Sequence, residues 1–131
     1  MYIQNNSVNF TSRILPSEPL KNTFNKFSAE KDFLYRKRFV NYLDALVNDG
    51  KHDIIEIKKV ESRKGKMIRG FVNGKDTTGL TIDESNRYRT QADCVVEVIS
   101  RLTRRSNPIE KFKKLGIRRL QEIQEIIFNN K

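Results

Sequence analysis

The sequence predicts an α+β domain, with a small antiparallel sheet of two to three strands centred on residues 53–73 packed against three to four helices. Three observations carry this. Residues Asp53–Asn73 (DIIEIKKVESRKGKMIRGFVN) alternate apolar and polar side chains on either side of a basic turn, the pattern of a half-buried hairpin. The segments before and after it repeat apolar residues at spacings of three and four, the period of amphipathic helices. The hairpin splits a chain that is otherwise mostly helical, as in an α+β domain.

Length and composition fit one such domain over residues 1–131, with 1–27 as an N-terminal arm or short helix packing on it. Apolar residues make up only 37% of the chain and charged residues 32%, but the apolar ones fall at regular intervals, as a folded chain requires.

Residues 7–15 place Val8, Phe10 and Ile14 on one side of a short strand or extended arm ended by Pro16. Ser17 is placed to cap a helix with Pro19 in its first turn, and Leu20, Phe24 and Phe27 form its apolar face. Ser28 is expected to cap a second helix running to about Asn48, stopped by Asp49-Gly50. That helix turns Phe33, Phe39, Val40, Leu43, Leu46 and Val47 inward, with Arg36 laid over the arc. Lys37, Asn41, Asp44 and Asn48 lie opposite, as a solvated face.

In the hairpin, Ile55 and Ile57 share one face, and Ile54, Glu56, Lys58 and Val60 the other. Ser62-Arg63-Lys64-Gly65 makes the turn. Ile68 and Val72 oppose Met67, Arg69 and Phe71 on the second strand, where Gly70 signals a bulge or a close backbone approach. Asn73-Gly74 is a tight-turn signal leading to a short third strand over 78–82. Thr90 with Asp93 opens a third helix that buries Ala92, Val95, Val96, Ile99 and Leu102. Asn107-Pro108-Ile109-Glu110 signals the start of a last helix burying Ile109, Phe112, Leu120, Ile123 and Ile127, kinked or closely crossed at Gly116.

The residues exclude several chemistries. With one histidine and one cysteine the chain makes no intrachain disulfide and no cysteine-based metal site, and no cofactor is expected. Phosphate-cradling and dinucleotide glycine motifs are absent from the sequence. The N-terminus lacks the apolar stretch of a secretion signal and no apolar run reaches membrane-span length, so a cytoplasmic, non-membrane protein is expected. Cys94 reads as an inert helical thiol, and His52 as a boundary residue before the first hairpin strand. Glu56-Ile57-Lys58 has the Glu-x-Lys spacing of a large nuclease superfamily, but the Asp that superfamily places on the preceding strand has no counterpart here. Arg87, Tyr88 and Arg89, ahead of the third helix, are a phosphate-holding candidate or plain surface partners of Asp83 and Glu84.

Charge is more informative. Twenty-six Lys and Arg against sixteen Asp and Glu give a net +10, which favours anionic partners. Half of that excess, +5, falls within residues 51–75, and +3 within 106–131. The expected function is therefore non-catalytic binding, with nucleic acid held by the hairpin turn and last helix. The candidate residues are Lys58, Arg63, Lys64, Lys66, Arg69, Lys75, Arg104, Arg105, Lys113, Lys114 and Arg118. Lys59, Arg101 and Arg119 extend the same stretches. The alternative is a protein-interaction module or inhibitor docking on an acidic partner, or a homo-oligomer, through strand edges and the aromatics Phe10, Phe24 and Phe27.

The order helix, two or three strands, helix over residues 29–105, with Val72-Asn73-Gly74-Lys75 before a short strand and Ser85-Asn86-Arg87 before a helix, is similar to that of the double-stranded RNA-binding domain. The lysine cluster and alanine-rich face of that domain's second helix are not reproduced by Arg89, Thr90 and Asp93. Leu115-Gly116-Ile117 resembles the centre of a helix-hairpin-helix, with Arg118 in place of the second glycine.

Overall fold

The computed structural model describes residues 12–29, 33–48, 51–63, 65–83, 90–106 and 113–129. Its elements in chain order are β1 (Arg13–Ile14), α1 (Glu18–Ala29), α2 (Phe33–Val47), β2 (Ile54–Ser62), β3 (Gly65–Val72), β4 (Lys75–Thr81), α3 (Gln91–Ser106) and α4 (Ile117–Phe128). The α+β class holds, but the sheet is larger than the sequence predicts. It has four strands in the order β1-β2-β3-β4, with β1 parallel to β2 and the other pairs antiparallel. The added strand, β1, is two residues long and falls within residues 7–15, where the alternation allows a short strand or an extended arm; its partner lies about forty residues away. Arg13 N–H donates to the Asp53 carbonyl at 2.8 Å and Leu15 N–H to that of Ile55 at 2.9 Å before Pro16 ends the pairing. Residues 1–11, with Val8 and Phe10, lie outside the described residues.

The β2–β3 hairpin follows its alternation. Ile55 pairs with Val72, Ile57 with Gly70 and Lys59 with Ile68, which puts Ile55, Ile57 and Ile68 in the core beneath the helices. The turn closes at Ser62 and Gly65, with the Ser62 hydroxyl donating to the Gly65 carbonyl at 2.9 Å. Asn73 (φ 53°) and Gly74 (φ 83°) both take the left-handed conformation of a tight hairpin turn, which matches the twist of the strands they join. The Asn73 amide also accepts from Ile54 N–H and donates to Asp53, each within 2.9 Å, and so staples the turn to the start of β2. Both expectations at Gly70 are met: a bulge follows it, and α3 crosses directly over it. A Cβ built there would stand 2.8 Å from Val98 Cγ1 and 3.1 Å from Leu102 Cδ1.

Above the sheet, α1 packs on β2 and α3 on β3 and β4. Behind them, α2 packs chiefly on α3, and α4 on α1 and α2. The helix–strands–helix order α2-β2-β3-β4-α3 is present, but α1, not α2, shares the sheet face with α3. One apolar cluster runs through all layers, from Ile57 and Ile68 through Phe24, Phe39, Val95 and Ile99 to Leu120 and Ile123. Phe24 meets Phe39 and Phe128 edge-on, at 5.1 and 5.8 Å between ring centroids.

Three helix ends differ from expectation. Ser28 does not cap α2, because α1 continues through Ala29; Arg36 of α2 is buried and donates from Nε to the Phe27 carbonyl at 2.7 Å, satisfying the end of α1. Ser17 precedes α1 as expected, yet its buried hydroxyl makes no hydrogen bond. Pro19 occupies the second helical position and removes one of the two N–H groups a cap would take. The last helix starts at Ile117, since residues 113–116 are non-helical and Gly116 is its extended N-cap, not a kink within it. Asn107-Pro108-Ile109-Glu110 and Phe112 lie outside the described residues. At α3 the expected cap is present: Thr90 Oγ accepts from Asp93 N–H at 3.3 Å and donates to the Asp93 carboxylate at 2.6 Å.

The face of α2 expected to be solvated is in part an interface. Asn41 is 4% and Asp44 8% exposed. Asn41 accepts from Lys113 N–H at 2.8 Å and donates to the carbonyls of Lys113 and Lys37 at 3.2 and 2.8 Å. Asp44 takes Arg119 at 2.8 Å and Lys113 at 3.7 Å. Polar residues there dock the segment leading into α4 and α4 itself. Of the four residues of that face, Asn48 alone is exposed, and Lys37 is half-buried.

Candidate nucleic-acid interface

The sheet buries one face, and among the described residues no helix covers the other, the open face; the two faces treat their charges differently. On the open face Lys58 lies 3.1 Å from Glu56 and over the Phe71 ring at 5.2 Å, while Arg69 bonds Asp76 at 2.7 Å. Both cations are held by carboxylates of their own sheet. On the helix-side face, Lys59 and Lys66 sit toward the hairpin end, beyond the helical cover, and are exposed. Arg63 is exposed in the turn itself, and Lys64 lies outside the described residues.

The helices add to this end of the molecule. The start of α3 lies beside the end of β4, where the buried Cys94 thiol points to the Thr81 carbonyl at 3.7 Å. Ser17, Glu18 and Pro19 at the start of α1 line one cleft with Lys58, Lys59 and Gln91, the last being the first residue of α3. Two helix N-termini, each carrying partial positive charge, thus converge beside the hairpin's lysines. Glu18 offsets part of this charge in the first turn of α1 and Asp93 in that of α3, where Thr90 also takes the Asp93 N–H.

The remaining candidates lie elsewhere. Lys75 opens β4 at the opposite end of the sheet from the Arg63 turn. Arg104 is exposed near the C-terminal end of α3 and lies 3.4 Å from Glu97; the side chain of Arg105 lies outside those described. Arg101 donates to the Thr78 hydroxyl at 3.3 Å. Of the cations around α4, Lys113 and Arg119 engage Asp44, whereas Lys114 and Arg118 are exposed. Because α4 sits on α1 and α2, its cations belong to the helical layer away from the sheet. The structure therefore gathers Lys58, Lys59, Arg63 and Lys66 at the hairpin end, and sets the α4 group apart from them. The convergence of α1 and α3 on that end has no sequence signal, because it depends on how the helices lie across the strands.

Other chemistry finds little support in the geometry. Glu56 and Lys58 of the Glu-x-Lys pair are bonded to each other, and among the described residues no group of three or more His, Cys, Asp or Glu side chains could hold a metal ion. Arg87, Tyr88 and Arg89 lie outside the described residues. Phe24 and Phe27 are in the core, so they are not available to a docking partner, and Phe10 lies outside the described residues. Among the described residues no helix is long and apolar enough to cross a membrane. Comparison of the chain with protein-family models, curated proteins and solved structures finds no match.

Proposed function

We propose that this protein binds nucleic acid without acting on it, through the hairpin end of its sheet. The observation that carries this reading is one cleft in which Lys58 and Lys59 meet the first residues of α1 and α3, with exposed Arg63 and Lys66 further along the hairpin toward its turn. Such an end offers phosphate oxygens both mobile ammonium and guanidinium groups and fixed backbone donors. The exposed Lys114 and Arg118 of the α4 region supply a second, weaker contact to a long polyanion that wraps the molecule.

The test is a titration of labelled duplex DNA, duplex RNA and single strands followed by fluorescence anisotropy at several salt concentrations. Binding weakens linearly in log–log form with salt, with a slope set by the number of phosphates neutralised. Arg63→Glu with Lys66→Glu lowers affinity by at least about tenfold and reduces the slope, because two contacts are lost and two repulsions gained. Lys114→Glu with Arg118→Glu has a smaller effect. Absence of binding to every one of these probes at low salt refutes the reading, and an equal loss from both pairs refutes the placement at the hairpin end.

A further inference from the structure

We propose that the open face of the sheet is where a second copy of this chain packs, sheet on sheet, about a two-fold axis. Strand pairing lays the side chains of this face in four cross-strand rows. Ile54, level with Asn73, forms the first. Glu56, Phe71 and Asp76 form the second; Lys58, Arg69 and Gly79 the third; Val60, Met67 and Thr81 the fourth. In order along the strands they read apolar, acidic with an aromatic, basic, apolar.

That order is its own complement. Consider a two-fold axis between two facing sheets, perpendicular to the strands and midway between the acidic and basic rows. It lays each acidic row on the basic row of the other copy and each Ile54 on Val60 of the other copy. Phe71 then meets Arg69 across the axis, a cation–π pairing of the kind Lys58 already makes with Phe71 within the chain. The faces would stand about 10 Å apart with strands aligned to within about 30°, as packed sheets do.

Two further observations favour a second copy over a polyanion on this face. Its cations are neutralised in place, Lys58 by Glu56 and Arg69 by Asp76, in a chain whose net charge is +10. Only Arg13, at the β1 margin, adds an unmatched charge among the described side chains of that face. The apolar rows also lack a helical cover among the described residues: Ile54 is 45% exposed, and Val60, Met67 and Phe71 are half-buried with no described helix over them. Three strands about 4.8 Å apart bearing four rows about 6.8 Å apart span roughly 400 Å² per copy in projection. This lies below the roughly 800 Å² per partner of a standard interface, so the dimer is reversible and concentration-dependent.

Sedimentation velocity of the full chain tests this from about 10 μM to about 1 mM, a range that brackets weak dimers of this size. The wild-type chain moves from monomer to dimer as concentration rises. Lys58→Glu or Glu56→Lys alone sets like charges opposite one another twice by symmetry and raises the dissociation constant at least about tenfold. The double exchange Glu56→Lys with Lys58→Glu keeps the net charge, restores opposite signs across the axis and recovers the dimer. Far-UV circular dichroism confirms that each variant is folded. A monomer at every concentration, single variants that associate like the wild type, or a double exchange that fails to recover association each overturns the proposal. If the protein is monomeric throughout and Lys58→Glu alone abolishes oligonucleotide binding, the face belongs to nucleic acid and the proposal is likewise overturned.

Discussion

Replacing Asn41 by Ala tests the polar docking of the α4 segment on α2, and Asn48→Ala is its natural control. Asn41 lies on α2 and Asn48, seven positions on, directly follows its last residue; both donate to a backbone carbonyl one helical turn back, Lys37 for Asn41 and Asp44 for Asn48. They differ in what else they hold. Asn41 is 4% exposed and bonds both backbone groups of Lys113, seventy-two residues away in sequence; Asn48 is exposed and bonds only Asp44. Truncating Asn41 removes three hydrogen bonds and leaves an N–H and a C=O of Lys113 in a partly desolvated seam. At about 0.5–1.5 kcal/mol net per bond, moderated by water reaching the seam, the loss is about 1.5–3 kcal/mol. For a chain of this size that lowers the melting temperature by about 5–12 °C. Asn48→Ala costs less than about 0.5 kcal/mol. The chain has no tryptophan, so urea unfolding is best followed by far-UV circular dichroism. Equal effects of the two substitutions, or a loss at Asn41 below about 0.5 kcal/mol, would refute the assignment of Asn41 as the anchor of the α4 segment.

Gly70→Ala decides between two opposed effects: alanine in a strand gains about 0.5–1 kcal/mol over glycine, but a methyl 2.8 Å from Val98 overpacks the α3 crossing at a cost of about 1–3 kcal/mol. Net destabilisation in urea is expected, relieved in the double variant with Val98→Ala; a stabilised Gly70→Ala single variant would contradict the close crossing. Thr90→Ala removes the N-terminal cap of α3 and costs about 1 kcal/mol, measured the same way, with Thr90→Ser retaining most of it. A loss at Thr90→Ser as large as at Thr90→Ala would assign the effect to the methyl group's packing rather than to the hydroxyl.

What the sequence makes legible is the structure that depends on near neighbours. The alternation at Ile55, Ile57 and Ile68, the turn at Asn73-Gly74 and the cap at Thr90 and Asp93 each draw on interactions within a few residues, and each is where it was expected. What escapes is set by distant partners. The alternation over residues 7–15 allows either a strand or an arm at Arg13 and Ile14, and it is the distant β2 that makes it a strand of the sheet. Asn41 and Asp44 sit at helical positions that a polar residue would occupy equally in water, and the segment leading into α4 makes them an interface. The end of α1 falls beyond Ser28 because Arg36 folds back to receive it. The candidate site divides in the same way. Its lysines and arginines can be named from sequence, but which of them stand together depends on how α1 and α3 lie over the sheet.

The parallel pairing of β1 also bears on how the chain reaches this fold. The β2–β3 and β3–β4 pairings close through turns of a few residues, whereas β1 meets β2 only after about forty residues and two helices have been laid down between them. Loop closure over that distance loses more chain entropy than either hairpin, and two residues of ladder return little for it. The loop-closure cost therefore favours pairing of the three-stranded meander before that of β1, which joins once α1 has delivered Phe24 and Phe27 to the core. The same imbalance makes β1 the first strand to leave. Amide exchange at Arg13 and Leu15 should run ahead of that at Ile57 and Ile68, so that the molecule opens from its N-terminal edge while the meander stays intact.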